Sequence, residues 1–187
     1  MIDINLSNIS KNYGFNNVLN NINLIVNSGD KIALIGSNGS GKSTLLKLIA
    51  GIENKTSGEI SIRKNIKIGY LSQIPENLDI NVKDYIYESF NELINLENKL
   101  KLYEMKLLNN DIKIINKYTK LQEEFINKGG YEYKTKISKV LAVFNITEEM
   151  LNRNFNTLSG GEKTICSLIK LLLIEPDVLL LDEPTNH

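Results

Sequence analysis

The sequence is short of cysteine, of net charge and of long apolar runs, and each shortage excludes a class of protein. The single cysteine, Cys166, excludes an internal disulfide framework and a cysteine-based metal cluster. Its apolar surroundings predict a small buried side chain. Lys plus Arg and Asp plus Glu each total 22, so the net charge is zero and any polyanionic partner must meet a local basic patch. No segment reaches the roughly 18 uninterrupted apolar residues of a membrane helix. The N-terminus alternates like a strand and lacks the basic start of a signal peptide, so we expect a cytoplasmic protein without membrane insertion.

Hydrophobic periodicity divides the chain into an α/β core and a helical insertion. Alternating or continuous apolar residues predict strands near residues 2–6, 22–26, 31–35, 60–62, 66–70 and 177–181. Spacings of three and four predict one long helix over 82–107, a second over 114–125 and a third over 133–144. The first two form an antiparallel hairpin around the turn at 109–111. We therefore expect the core in residues 1–81 and 145–187 and the insertion in residues 82–144.

A glycine-rich segment between the predicted strand at 31–35 and a predicted helix matches the P-loop pattern at every fixed position. Its glycines let the backbone approach phosphate oxygens, while loop amides and the helix N-terminus point at the anion. Lys42 would contact the β- and γ-phosphates, and the Ser43 hydroxyl would ligate Mg²⁺. The predicted ATP-binding residues are Gly36, Ser37, Asn38, Gly39, Ser40, Gly41, Lys42, Ser43 and Thr44.

Two further motifs follow the P-loop along the chain. The apolar run before Asp182 and Glu183 predicts a buried strand that ends in two acids. Asp182 would hold Mg²⁺ through water, and Glu183 would polarise the attacking water. Earlier, Ser159, Gly160 and Gly161 open a helix and predict a second anion-binding N-terminus. With Glu162 the same residues also fit an ordinary capping box, and both interpretations can hold at once.

The order of these three motifs resembles the ABC ATPases, over essentially the whole chain. The resemblance implies an α/β P-loop ATPase core with an N-terminal antiparallel β subdomain. It also implies three roles: Gln73 contacts Mg²⁺ and the attacking water, Tyr13 stacks on adenine, and Ser159 to Gly161 bind the γ-phosphate of ATP held by an opposite domain. ATP and Mg²⁺ are the implied cofactors, and a second ABC domain is an implied partner.

Within that superfamily, the chain is similar to the ABC-F group. Glu162 stands where transport ATPases usually carry glutamine, and Asn186 stands where they usually carry serine. Ile165 and Cys166 depart from the usual Arg-Val pair. The predicted hairpin resembles the arm inserted in the first ABC-F domain, and its distal half is basic, with six lysines against two acids for a local charge of +4. These residues are Lys99, Lys101, Lys106, Lys113, Lys117 and Lys120 against Glu104 and Asp111.

The ABC-F resemblance implies a two-domain ATPase that acts on the ribosome and contacts rRNA or tRNA, with antibiotic ribosomal protection as one form of that activity. Composition alone slightly favours a solvated helical face over RNA contact as the interpretation of the basic hairpin. Two alternatives stay open, an ATPase subunit of a membrane transporter and a fragment that binds nucleotide without turnover. Because the sequence stops directly after Asp182 and Glu183, with His187 as its last residue, we expect a fragment of a first domain with little ATPase activity alone.

Overall fold

The computed structural model describes residues 1–71, 78–107 and 112–183. The chain forms two compact units. One comprises residues 1–75 and 174–187, and the other comprises residues 76–173. The assignment of residues 82–144 to an inserted element remains a prediction.

The first unit contains an antiparallel sheet of β1 (Ile2–Tyr13), β2 (Asn16–Asn27) and β3 (Ser57–Ile62), in the order β2-β1-β3. Ile4, Leu6 and Ile9 of β1 are almost fully buried. Strict alternation would bury Leu6 but expose Ile9, three residues later. A register shift at Asn8, which has a positive φ of 51°, returns Ile9 to the buried face. The expected N-terminal antiparallel subdomain is therefore present.

A parallel pair of strands, β4 (Ile68–Leu71) and β5 (Val178–Leu181), also belongs to this unit. Helix α1 (Lys42–Ile49) buries Leu45, Leu48 and Ile49 in one apolar cluster with Leu180. Leu71 pairs with Leu181, so the carboxyl ends of these two parallel strands lie side by side at one edge of the sheet.

The buried strand predicted at residues 31–35 is wrong for this structure, in which the run is irregular. Ile32 is 48% exposed and Ile35 is 95% exposed, although Leu34 packs against the apolar cluster. A strand needs a hydrogen-bonded neighbour, and among the described residues β4 and β5 pair with each other rather than with this run.

The second unit contains α2 (Val82–Tyr87), α3 (Asn91–Lys106), α4 (Ile112–Asn127), α5 (Tyr133–Val143), α6 (Glu148–Asn152) and α7 (Gly160–Leu173). Helices α3 and α4 form the expected hairpin. Lys128, just after α4, pairs with Glu92 at the start of α3, so the two helices run antiparallel. The turn predicted at 109–111 lies outside the described residues.

The single long helix predicted over 82–107 is wrong, because a 3-10 turn at Glu88–Phe90 separates α2 from α3. Tyr85 of α2 is tied to α7 by a 3.0 Å hydrogen bond between its hydroxyl and that of Ser167. Leu93 and Leu96 of α3 are buried in the same apolar cluster as Phe125 of α4. Because of this turn, α2 packs against α7 while α3 packs against α4, although one apolar periodicity runs through both helices.

Cys166 is fully buried in this cluster, as predicted, and burial raises the pKa of its thiol to about 11. Within the described ranges, no helix has the length and apolar character needed to span a bilayer.

Candidate nucleotide site

The glycine-rich loop has a backbone that requires glycine where it joins α1, and it is tightly packed at its other end. Gly41 caps α1 with a φ of 91°, and a Cβ there would lie 2.8 Å from a methyl carbon of Leu19. A Cβ on Gly36 would lie 2.7 Å from the Ser40 hydroxyl. The loop therefore closes on itself tightly, and its backbone stays accessible to a ligand that must approach closely.

The Lys42 ammonium braces the loop by donating to the carbonyl oxygens of Gly36 and Ser37, each at 2.9 Å. The first turn of α1 consists of Lys42, Ser43 and Thr44, so it presents one cation and two hydroxyls beside free helical amides. This set of donors at a helix N-terminus suits a polyphosphate.

Ser43 and Asp182 meet at the carboxyl edge of the parallel strands. The Ser43 hydroxyl donates to Asp182 Oδ1 at 2.9 Å, and the Asp182 backbone N–H donates to the carbonyl of Leu71 at 3.2 Å. A hydroxyl beside a carboxylate is an oxygen pair that fits Mg²⁺. The described residues hold no group of three or more acidic, histidine or cysteine side chains that could bind a metal. The Ser43–Asp182 pair supplies two oxygens, which suits an ion that takes its remaining ligands from water and phosphate, as Mg²⁺ commonly does.

Tyr70 joins this pair although sequence reasoning gave it no role. Its hydroxyl donates to Asp182 Oδ2 at 3.0 Å. Burial, together with the Asp182 carboxylate, raises the pKa of Tyr70, so the phenol stays protonated and remains a donor. The only signal in the sequence was an aromatic residue near the end of a strand, which ordinarily indicates packing.

Glu183 directly follows Asp182 and has a positive φ of 49° and an exposed side chain. With this left-handed conformation the backbone turns away from the direction of β5. The Glu183 side chain can therefore point out of the strand towards a ligand. Gln73, the other residue expected to contact the attacking water, lies outside the described residues.

Tyr13, expected to stack on adenine, lies at the end of β1 and is 47% exposed. Its hydroxyl donates to the Glu53 carboxylate, and the Lys11 ammonium lies 4.7 Å from the ring centroid. The Glu53 hydrogen bond, with some burial, raises the pKa of Tyr13. Lys11 and Glu53 thus fix the ring with one face covered, a pairing that sequence spacing could not show.

The predicted second anion site, Ser159 to Gly161, begins α7 in the second unit. It forms the expected capping box: the Ser159 N–H donates to Glu162 Oε2 at 2.7 Å, and the Glu162 N–H donates to the Ser159 hydroxyl at 3.3 Å. Arg153 adds a 2.8 Å hydrogen bond to Glu162 Oε1. The Ser159 bonds, followed by Arg153, lower the pKa of Glu162. Arg153 therefore offsets the negative charge of Glu162, which would otherwise repel an anion at this helix N-terminus. The sequence gave no sign of this role of Arg153.

Residues 19–186 match the family model described as ABC transporter, and the chain therefore belongs to that family and is an ATP-binding domain of the ABC type. A solved structure described as an ATP-binding subunit of an ABC transporter covers 98% of this chain, with a TM-score of 0.70 and 21% identity. This chain covers 67% of that one. The predicted fold class is confirmed.

Relatives of assigned function include members of the group recognised from the motif spellings. The energy-dependent translational throttle protein EttA of Escherichia coli is 36% identical over 91% of the chain and 31% of EttA. The tylosin resistance ATP-binding protein TlrC of Streptomyces fradiae is 33% identical over 98% of the chain and 34% of TlrC. The ABC transporter F family member 2 of Arabidopsis thaliana is 35% identical over 98% of the chain and 28% of that protein.

The resemblance to the ABC-F group is confirmed by these relatives. The chain spans about a third of the length of the curated relatives it matches.

Proposed function

We propose that this chain provides the first ATP-binding domain of an ABC-F protein that binds and hydrolyses ATP in order to act on the ribosome. The observation that carries the ribosomal part is the exposed basic hairpin of α3 and α4. The catalytic part rests on the Ser43–Asp182 pair beside the P-loop.

The nucleotide chemistry follows from the residues of the first unit. Loop amides and Lys42 bind and orient the phosphates, while Tyr13 offers the open face of its ring to the base. Ser43 and Asp182 would hold Mg²⁺, which would neutralise part of the negative charge of the phosphates. Glu183 would orient a water molecule and accept its proton, with Gln73 as the second water-contacting residue. Ser159, Gly160 and Gly161 would serve a phosphate held by another ABC domain.

The hairpin carries its charge where RNA could reach it. All six lysines of residues 99–120 are exposed, while Leu93, Leu96 and Phe125 near its base are buried in the apolar cluster of the second unit. A rigid helical pair with a buried base and a cationic distal half suits contact with phosphates rather than sequence reading. The similarity to EttA, an energy-dependent translational throttle protein, supports the ribosome as the source of that RNA.

The distal half also exposes apolar side chains, namely Leu102, Met105, Ile112 and Ile115. Such side chains suit a protein surface better than a phosphate backbone. A ribosome offers both surfaces, so salt dependence separates them: contact with RNA phosphates weakens steeply with salt, and apolar contact does not.

The test is ribosome pelleting of the intact protein with Lys106, Lys113 and Lys117 changed to glutamate. Loss of up to three phosphate contacts should weaken binding and reduce the slope of log affinity against log salt by about 2 to 3. A matched control changes the exposed Lys55, Lys64 and Lys139 to glutamate, which alters the net charge equally but leaves the hairpin intact.

Equal pelleting of both variants at several salt concentrations would contradict the proposed role of the hairpin. Co-purification with a polytopic membrane protein instead of ribosomes would favour the alternative, the ATPase subunit of a transporter. We further propose that the action on the ribosome protects it against an antibiotic, which the similarity to the tylosin resistance protein TlrC supports. This proposal predicts that expression of the intact protein raises the inhibitory concentration of a ribosome-targeting drug.

A further inference from the structure

Both oxygens of the Asp182 carboxylate are held by hydroxyl donors from separate elements. Ser43, in the first turn of α1, donates to Oδ1 at 2.9 Å. Tyr70, in β4, donates to Oδ2 at 3.0 Å. The carboxylate is therefore fixed against rotation about its Cβ–Cγ bond by two different parts of the first unit.

The reach of Tyr70 follows from the parallel pairing of β4 with β5. Tyr70 is paired with Leu180, two residues before Asp182, so its long side chain extends along the strand direction to the carboxylate. Alternation along β4 buries Gly69 and Leu71 and leaves Tyr70 half-buried on the opposite face. A phenylalanine here would fill the same space, so packing alone does not explain the hydroxyl.

The two hydroxyl donors are not equivalent when a metal binds. A serine hydroxyl that ligates Mg²⁺ turns its lone pairs to the ion and gives its proton to another acceptor, so its bond to Asp182 is the one at risk. The Tyr70 bond is on the other carboxylate oxygen and can persist. Groups that orient a ligand in this way commonly affect metal affinity 10- to 100-fold.

We infer that Tyr70 is a positioning residue for the Mg²⁺ of the nucleotide site, which it serves by holding Asp182 Oδ2 so that Oδ1 stays directed at Ser43. The inference rests on the proposed roles of Ser43 and Asp182. Tyr70 has no proposed contact with the nucleotide. A substitution of Tyr70 should therefore change only the increase in ATP affinity that Mg²⁺ causes.

The test compares Tyr70→Phe with the unchanged chain by calorimetric titration of ATP, once with Mg²⁺ and once with EDTA. In EDTA, Tyr70→Phe and the unchanged chain should bind ATP with the same affinity. The factor by which Mg²⁺ increases ATP affinity should be about 10-fold smaller in Tyr70→Phe, because a hydrogen bond to a charged group is removed. Electron paramagnetic resonance of Mn²⁺ with ATP should show weaker Mn²⁺ binding by the same factor. Tyr131→Phe, an exposed tyrosine of the second unit, is the matched control and should change neither value.

A poorly folded Tyr70→Phe chain would also bind ATP less well in EDTA, so the ratio of the two affinities isolates the effect on the metal. An equal Mg²⁺ gain in Tyr70→Phe and the unchanged chain would overturn the inference. So would an equal loss of affinity in Mg²⁺ and in EDTA, which marks a purely structural tyrosine. If the unchanged chain binds ATP without any gain from Mg²⁺, the proposed roles of Ser43 and Asp182 fail instead.

Discussion

Replacement of Lys42 by alanine tests the phosphate cradle through its only charged side chain. In the structure, the ammonium donates to the carbonyl oxygens of Gly36 and Ser37, both at 2.9 Å, so it sits over the loop that would surround the phosphates. A hydrogen bond to a charged partner contributes about 1.5–3 kcal/mol, which corresponds to a loss of about 10- to 150-fold in ATP affinity.

Calorimetric titration of ATP in the presence of Mg²⁺ measures this loss. Lys64→Ala is the matched control, because it removes an exposed lysine of the same unit outside the loop. Thermal unfolding of both variants shows whether the lost brace destabilises the chain. An ATP affinity in Lys42→Ala within about twofold of the control, with both variants folded, would refute the assignment of the loop to phosphate binding.

Two further predictions concern catalysis and acid stability. Glu183→Gln in the intact protein should retain ATP affinity while phosphate release falls about 100-fold or more, because the carboxylate that accepts the proton of water is removed; undiminished release would contradict that role. Glu97 accepts a hydrogen bond from Lys134 at 2.6 Å and another from Tyr133 at 2.5 Å, which lower its pKa from 4.5 to about 2. Glu97 therefore stabilises the folded state above about pH 4.5, and this contribution is lost as the pH falls towards 2. Glu97→Gln should lower the free energy of unfolding at pH 7 and have a smaller effect in acid. Denaturant unfolding at several pH values measures both effects.

Local patterns predicted most of the elements that position the site. The P-loop, helix α1 and strand β5 with its two terminal acids follow from glycine spacing and apolar runs. The capping box at Ser159 and Glu162 was read from residues three apart, and the structure contains both of its hydrogen bonds. These features depend on neighbours in sequence, which a single chain displays directly.

The errors and omissions share a physical cause, because they depend on partners distant in sequence. The run at 31–35 has the composition of a strand, but a strand exists only where a neighbour completes its hydrogen bonds. The apolar residues of 82–107 keep a helical spacing across the 3-10 turn at Glu88–Phe90, so their spacing could not reveal where the helix breaks. Tyr70 lies 112 residues before its acceptor Asp182, and Tyr13 lies 40 residues before Glu53. Such pairs become visible only when the fold brings them together.

Titration of ATP into Asp182→Asn tests most directly whether the P-loop and Asp182 form one Mg²⁺–ATP site. The substitution keeps the shape of the side chain and removes the charge that would attract the metal. We predict that ATP affinity in EDTA is unchanged or slightly higher, while the gain conferred by Mg²⁺ falls by at least about 10-fold. If Mg²⁺ raises the ATP affinity of Asp182→Asn as much as that of the unchanged chain, Asp182 does not belong to the Mg²⁺–ATP site.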